Sequence, residues 1–313
     1  MSNLETSPDV TACHTAADDH AVAELFEPRA VPLGGLRAMQ VDRVMPQRGL
    51  PTVGAWCFLD SFGPHHEQMR VLPHPHTGLQ TVTWPLSGEI HHRDSLGSDV
   101  LVRPGQLNLM TAGSGVAHSE ISTSAGPLSG LQLWVALPAS HASTPPAFEQ
   151  HVDLPVHHAP GVTATVLMGT LGDLTSPATA HTPIVGADLT LTGPAELPLR
   201  PDHEHAVLAV DPVTVAGTEV ARGHLLYLGT GRSGLRLDGT GRALLLGGEP
   251  FPDELVMWWN FVGRSHEEIA TARADWEAAA PRFGEVVGHD GARIPAPELP
   301  GVRLAPRKRR RPL

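Results

Sequence analysis

Frequent chain breakers constrain the fold of this chain more than any other feature of its sequence. Glycine occurs 32 times and proline 30 times in 313 residues, and they divide the apolar residues into short runs. Short apolar runs between Gly- and Pro-containing turns are typical of strands in sandwiches and barrels. Only Ser265–Ala280 has helical spacing, because Ser265 and Glu268 form a capping box ahead of regularly spaced apolar residues. The sequence therefore predicts an all-β protein with a C-terminal helix.

A Pro-rich stretch divides the predicted strands into two groups. About eight strands are predicted between residues 38 and 137, which is enough for a closed or double-sheet barrel. About six more are predicted between residues 163 and 246, after the weakly patterned stretch 139–160. We therefore expect four parts: a disordered or extended N-terminal segment (1–34), an N-terminal barrel (35–150), a C-terminal barrel with a closing helix (151–285) and a Pro-rich, basic, flexible tail (286–313).

Charge, cysteine content and hydropathy exclude several classes of protein. The net charge of −11 disfavours nucleic-acid binding, and the basic run Arg307–Arg311 is interpreted as a solvated tail. Two cysteines, Cys13 and Cys57, cannot build a disulfide framework and are expected to be free thiols. No apolar run has the length of a membrane span or a signal peptide. We expect a cytoplasmic protein, and the use of arginine in place of lysine indicates a bacterial source.

Spacing separates four potential metal ligands from the other histidines and acids of a chain with 19 histidines. His74 and His76 stand two residues apart, so on a strand they face the same side and can bind one ion together. His118 and Glu120 repeat this spacing after a Gly-rich turn. Three imidazoles and one carboxylate leave two positions open in an octahedral ion, which favours Fe(II), Ni(II), Mn(II) or Co(II) over a closed structural zinc site.

The segments around these four residues resemble the pirin family. The matching segments are Leu72–Gly78, His92–Ser98, Met110–Glu120 and Gly130–Val135, with weaker matches at Leu246–Pro250 and Ser265–Ile269. The resemblance is strong over residues 35–137. It implies two cupin barrels, with one metal ion, usually iron, in the N-terminal barrel. The family's ligands there correspond to His74, His76, His118 and Glu120.

Two residues near these motifs depart from the family pattern. Gln80 stands where many members carry a glutamate, and Thr77 stands where many carry an arginine after the His-Pro-His motif. Neither change removes a ligand, although both could alter substrate preference.

Other histidines are interpreted as structural or surface residues. Adjacent pairs such as His91 and His92 point to opposite sides of a strand and cannot both reach one metal, so we expect surface or loop positions for them. The run Asp202–His205 repeats the His-x-His spacing, with His224 as the nearest further ligand. No His-x-Glu motif follows at a matching distance, and the resemblance implies a C-terminal barrel without metal. We therefore expect no second metal site.

The resemblance implies more than one function. Some family members cleave quercetin with dioxygen, whereas others act through protein partners in transcription or metabolism. Our main hypothesis is a mononuclear-metal dioxygenase acting on quercetin-like flavonols or related enols, with Glu120 as both ligand and catalytic base. Fe(II) is the first expected metal, with Ni, Mn, Co, Cu or Zn as alternatives. Trp134 and Leu133 would line an apolar pocket or belong to the core.

Two rival functions remain open at this point. One is a metal- or redox-sensing regulatory protein that acts through protein partners without turnover. The other is a sugar- or small-acid-binding protein without redox chemistry. A small aromatic substrate is expected under the main hypothesis, and a regulatory protein partner under the first rival.

Overall fold

Strands form most of the chain, which confirms the prediction of an all-β protein with a C-terminal helix. The computed structural model describes residues 11–13, 20–33, 39–123 and 126–306. In the first half the strands are β1 (Thr11–Cys13), β2 (Ala21–Phe26), β3 (Arg29–Leu33), β4 (Met39–Met45), β5 (Trp56–His65), β6 (Arg70–His76), β7 (Leu79–Ser87), β8 (Ile90–Asp94), β9 (Asp99–Val102), β10 (Leu107–Thr111), β11 (Val116–Ser122), β12 (Leu128–Ala136) and β13 (Ala147–His151).

The second half has further strands and the helices. They are β14 (Val156–Ala159), β15 (Val162–Leu171), β16 (Leu174–Thr175), β17 (Ile184–Thr192), β18 (Ala195–Pro198), β19 (Glu204–Ala209), β20 (Val213–Val215), β21 (Thr218–Val220), β22 (Leu225–Gly229), β23 (Gly234–Asp238), β24 (Thr240–Gly248), β25 (Leu255–Trp258), β26 (Phe261–Gly263), the helix α1 (His266–Glu277) and the 3₁₀ helix η1 (Pro281–Phe283).

Each half folds into a barrel made of one large and one small antiparallel sheet. In the N-terminal barrel, seven strands in the order β13-β10-β7-β12-β5-β4-β3 face the four strands β6-β11-β8-β9. In the C-terminal barrel, an eight-stranded sheet runs β14-β15-β17-β24-β19-β22-β2, with β16 paired to β15, and faces β18-β23-β20-β21. The chain passes between the barrels after β13, so residues 139–160 contain an edge strand of each barrel.

The two large sheets pack against each other and share one apolar core. This contact explains why β7 lacks an alternating apolar pattern: seven consecutive residues of β7 are buried, since one face lines its own barrel and the other meets the second barrel. Trp56 crosses the contact and donates its indole N–H to the carbonyls of Val185 and Gly247, at 3.1 Å each. Trp84 likewise donates to Asp188, at 3.0 Å.

The two ends of the chain tie the barrels together. Strand β2 pairs with β22 and thereby extends the large sheet of the C-terminal barrel. At the other end, Phe261 bridges to Thr77 and Val262 donates to the Thr77 carbonyl, so β25 and β26 lie against the N-terminal barrel. Helix α1 follows them. Ser265 is its N-cap and accepts a hydrogen bond from the Glu268 amide at 3.2 Å, as the capping box predicts.

Several residues between η1 and residue 306 contact the rest of the protein, although we expected a flexible tail from residue 286. Trp276 donates its indole N–H to the Ile294 carbonyl at 2.8 Å, and Ile294 donates its amide to Pro73 at 2.8 Å. Leu304 is buried near the helix. An apolar residue every few positions therefore holds this Pro-rich segment in place. The basic run Arg307–Arg311 lies outside the described residues.

Two smaller expectations can also be compared with the structure. Cys57 is buried in β5, where its thiol donates to the Trp134 carbonyl at 3.6 Å, whereas the Cys13 side chain lies outside the described residues. No helix in the described part of the chain has the length and apolar character needed to cross a membrane.

Candidate metal centre

Two neighbouring strands of the small N-terminal sheet, β6 and β11, bring the predicted ligands together. His118 on β11 lies opposite His74 on β6, and Val116 lies opposite His76. A bulge between His118 and Glu120 shifts the register of β11 against β6. Residues directly opposite each other in antiparallel strands share a face of the sheet, so these side chains all enter the barrel interior. His74, His76, His118 and Glu120 are each fully buried.

The hydrogen bonds of two histidines fix which ring nitrogen can bind a metal. His74 Nδ1 lies 2.8 Å from the Leu72 carbonyl, and His76 Nδ1 lies 3.2 Å from the Asn260 carbonyl. A carbonyl oxygen only accepts, so both Nδ1 atoms carry the proton and each Nε2 has its lone pair. His76 Nε2 lies 3.1 Å from His118 Nε2. The ligand atoms of His74, His76 and His118 all lie within 4.8 Å of one another.

Burial keeps these imidazoles neutral at neutral pH. It lowers the pKa of His74 to about 4 and holds the pKa values of His76 and His118 well below the usual range for histidine, with neighbouring histidines adding to the effect for those two. Only a neutral imidazole can bind a metal ion, so the site has the protonation state that ligation needs.

Glu120 belongs to a second group of ligand atoms that shares His118 with the first. His92, His118 and Glu120 also place one ligand atom each within 4.8 Å of the others. His118 Nδ1 lies 3.4 Å from His92 Nδ1. Thr83 on β7 lies 3.0 Å from Glu120 Oε1. His118 thus stands between the other two imidazoles of the predicted set and the carboxylate.

His92 is a residue of this centre that spacing alone did not identify. We interpreted it as a surface or loop histidine, but it lies opposite Glu120 on β8 and is 2% exposed. Its Nε2 lies 3.2 Å from the buried Asp94 carboxylate, and its ring stacks on Phe148 at 4.6 Å. The available signal was the spacing of His92 and Asp94, which repeats the two-residue pattern of the other pairs. The neighbouring residue on the strand, His91, points to the opposite face of the sheet and is partly exposed.

Polar side chains of the large sheet complete the interior. Thr83, Asn108 and Gln132 lie opposite one another on β7, β10 and β12 and are buried. The amide nitrogens of Asn108 and Gln132 have no hydrogen-bond partner among the described residues, and neither has the indole nitrogen of Trp134. The Trp134 ring lies 5.3 Å from the ring of His76. Unsatisfied buried donors of this kind indicate space for a polar ligand.

The residues that depart from the family pattern lie beside this interior. Gln80 donates its amide to Thr111 at 2.9 Å and to the Thr179 carbonyl at 3.0 Å, which connects the two barrels. Of the two roles predicted for Leu133, a pocket wall or a core residue, the structure has the second, because Leu133 lies in the core between the barrels. Thr77 lies beside a cavity of about 350 Å³ between the N-terminal barrel and helix α1.

Two barrels of this kind, one of them with a buried histidine cluster, define a bicupin. The pirin family model matches residues 38–135, and the model of the pirin C-terminal cupin domain matches residues 186–284. The chain belongs to the pirin family.

Relatives agree with this assignment over nearly the whole chain. A Pseudomonas aeruginosa protein named as a candidate quercetin 2,3-dioxygenase is 43% identical and covers 96% of this chain and 98% of its own. A pirin-like protein of Caulobacter vibrioides is 33% identical over 88% of this chain and 99% of its own. The crystal structure of a quercetin 2,3-dioxygenase from Acinetobacter baumannii superposes with a TM-score of 0.85 at 40% identity, covering 90% of this chain and 96% of that one.

Proposed function

We propose that this protein is a metal-dependent dioxygenase that acts on a quercetin-like flavonol or a related enol. The observation that carries the proposal is the group of three buried imidazoles, His74, His76 and His118, next to a second group that shares His118 and contains Glu120. In the same interior, the amide nitrogens of Asn108 and Gln132 have no hydrogen-bond partner among the described residues. The similarity to proteins named as quercetin 2,3-dioxygenases supports the same reaction class.

The residues present fit a transition-metal ion. His74 and His76 each have Nδ1 bound to a backbone carbonyl, which is the outer contact that orients a metal-binding imidazole. With His118 and Glu120 they would supply three nitrogen ligands and one oxygen ligand, a set that suits Fe(II) first and accepts Ni, Mn, Co, Cu or Zn. A bound ion would supply Lewis acidity toward a substrate oxygen and a route for electrons to dioxygen.

Glu120 is the residue that would accept a proton from the substrate hydroxyl. It is buried, and the Thr83 hydroxyl lies 3.0 Å from its Oε1 atom and 3.0 Å from Gln132 Oε1. A hydroxyl has one proton, so Thr83 can donate to only one of these oxygens at a time. Thr83 would therefore orient the carboxylate in one state and the amide in the other.

The amide donors indicate where oxygen atoms of a substrate would lie. Asn108 is held by Gln150, which donates to Asn108 Oδ1 at 2.9 Å, and this contact leaves its amide nitrogen directed elsewhere. The Gln132 amide nitrogen is the second donor without a partner among the described residues. A flat molecule with several oxygen acceptors, such as a flavonol, would satisfy both donors, whereas a hydrocarbon would leave them buried and unpaired.

The test is turnover of quercetin by full-length protein loaded anaerobically with Fe(II), and separately with Ni(II), Mn(II) or Co(II). Loss of quercetin absorbance and release of carbon monoxide are measured after dioxygen is added. We expect metal-dependent turnover that His76→Ala abolishes, because the variant weakens metal binding at this centre. Glu120→Gln is expected to retain the ion and lose turnover by about 100-fold or more, since a positioned base contributes that much.

His91→Ala is the matched control, because this imidazole neighbours His92 but points away from the interior. It should leave both metal content and turnover unchanged. The proposal fails if no metal supports turnover, or if His76→Ala and His91→Ala behave alike.

A further inference from the structure

We propose that a second divalent transition-metal ion binds in the C-terminal barrel, between Asp202, His203 and Glu249. One potential ligand atom from each of these residues lies within 4.8 Å of the other two. Asp202 and His203 lie in the turn before β19, and Glu249 directly follows β24. Strands β19 and β24 are neighbours in the large sheet, and this adjacency brings the three residues together.

His203 is the residue that points to a ligand. It is 2% exposed, and neither ring nitrogen has a hydrogen-bond partner among the described residues. An imidazole always has one donor and one acceptor, or two donors, and burying them unpaired costs free energy. Asp202 and Glu249 are exposed beside it, so an ion could enter from solvent between the carboxylates and reach the ring.

The surroundings of the two carboxylates allow them to bind an ion. Arg200 donates to both oxygens of Asp202, at 3.1 and 2.7 Å, in an exposed ion pair. Each carboxylate oxygen has a second lone pair, so Asp202 can accept from Arg200 and still bind a metal. The backbone of Glu249 is held by a hydrogen bond to the Pro183 carbonyl at 3.1 Å. The arginine charge opposes the ion, so we expect weaker binding than at a fully anionic site.

This ligand set differs from the one that the His-x-His spacing suggests. Glu204 turns away, since it accepts hydrogen bonds from the Gly54 amide at 2.8 Å and from the Tyr227 hydroxyl at 2.7 Å. The His224 Nδ1 atom lies 3.2 Å from the Arg222 carbonyl. The ring centroid of His205 lies 6.0 Å from that of His203. The residues that place a potential ligand atom within 4.8 Å of one on His203 are Asp202 and Glu249, and Glu249 lies 46 positions further along the chain.

One imidazole nitrogen and two carboxylate oxygens suit Zn(II), Co(II) or Ni(II), with water at the remaining positions. Such an ion would link the turn before β19 to the end of β24. This point adjoins the contact between the barrels, because a Cβ atom built on Gly54 would lie 2.8 Å from the Gly248 Cα atom. The expected consequence is a C-terminal barrel whose resistance to unfolding depends on metal.

The test uses Co(II) and the full-length protein, in a His76→Ala background that weakens the N-terminal centre. Binding is followed by calorimetric titration and by the visible absorption of Co(II), whose intensity reports the coordination number of the ion. Adding His203→Ala should remove one equivalent of bound Co(II), whichever number the background binds. Glu249→Gln, an exposed and nearly isosteric change, should weaken the same equivalent by about tenfold or more.

His224→Ala is the matched control, since it removes another histidine of the same barrel and should change neither stoichiometry nor affinity. Circular dichroism of each variant without metal shows whether the fold is retained. The proposal is overturned if His203→Ala and Glu249→Gln, both folded, bind as much Co(II) as the His224→Ala control with the same affinity. Quercetin turnover with intact His76 is independent of this result, so the two proposals can fail separately.

Discussion

Trp56 and Gly186 contact each other between the two barrels, and substitutions at these two positions should have non-additive effects on stability. A Cβ atom built on Gly186 would lie 2.7 Å from Trp56 Cζ2 and 3.0 Å from Cη2, and the Trp56 ring is fully buried. No rotation of a long side chain can relieve this conflict. Gly186→Ala should therefore destabilise the protein by about 1–3 kcal/mol, the usual cost of overpacking a core.

The second variant is Trp56→Phe, and its expected loss of stability follows from the hydrogen bonds of the indole N–H. Trp56→Phe leaves the carbonyls of Val185 and Gly247 without this donor and also leaves a small cavity, at a cost of about 1–3 kcal/mol from the lost hydrogen bonds alone. The two clashing atoms belong to the outer ring of the indole, which phenylalanine lacks. In the Trp56→Phe background, Gly186→Ala should cost less by about 1 kcal/mol or more.

The free energy of unfolding of the wild type, the two single variants and the double variant is measured by urea denaturation followed by far-UV circular dichroism. Gly301→Ala serves as the control, because a Cβ atom there would meet no atom within 4 Å, and its effect should stay within about 0.5 kcal/mol. Strictly additive effects of Gly186→Ala and Trp56→Phe would refute the steric account of the interface.

Three further predictions concern charge, capping and pH. Asp60→Ala should destabilise the protein by about 3–5 kcal/mol in urea titrations, because the buried Arg43 guanidinium would lose the carboxylate that it binds at 2.8 Å. Removing the exposed Glu267 carboxylate by Glu267→Gln should cost much less, and equal costs would contradict the role of burial. Ser265→Ala should lower stability by about 0.5–2 kcal/mol through loss of the N-cap, seen as a lower thermal midpoint, and an unchanged midpoint would contradict it. Burial lowers the pKa of His205 to about 4, against about 6.5 in the unfolded chain, so the unfolded chain binds more protons below pH 6.5. This residue should therefore lower the free energy of unfolding by up to about 3 kcal/mol as the pH falls from 6.5 towards 4. His205→Gln should reduce the dependence of stability on pH in this range, and an unchanged dependence would contradict the prediction.

Local signals in the sequence were sufficient for the fold class and for the candidate ligands of the metal centre. Gly and Pro residues between short apolar runs predict strands, and the pair Ser265 and Glu268 predicts the start of α1, the one α-helix among the described residues. A two-residue spacing predicts that His74 and His76 share a face, as do His118 and Glu120. These signals depend only on neighbours in the chain, so they can be read without knowing which strands meet.

Tertiary structure decided which faces became interior and which distant residues met. His91 and His92 are neighbours on β8, and the pairing of β8 with β11 places His92 opposite Glu120. Strand β2 joins the sheet of the other barrel, a pairing that no local pattern encodes. In the C-terminal barrel, Glu204 turns to Gly54, whereas His203 comes to lie beside Glu249. The physical reason is that alternation in a strand fixes two faces, and only the packing of sheets against each other determines what each face contacts.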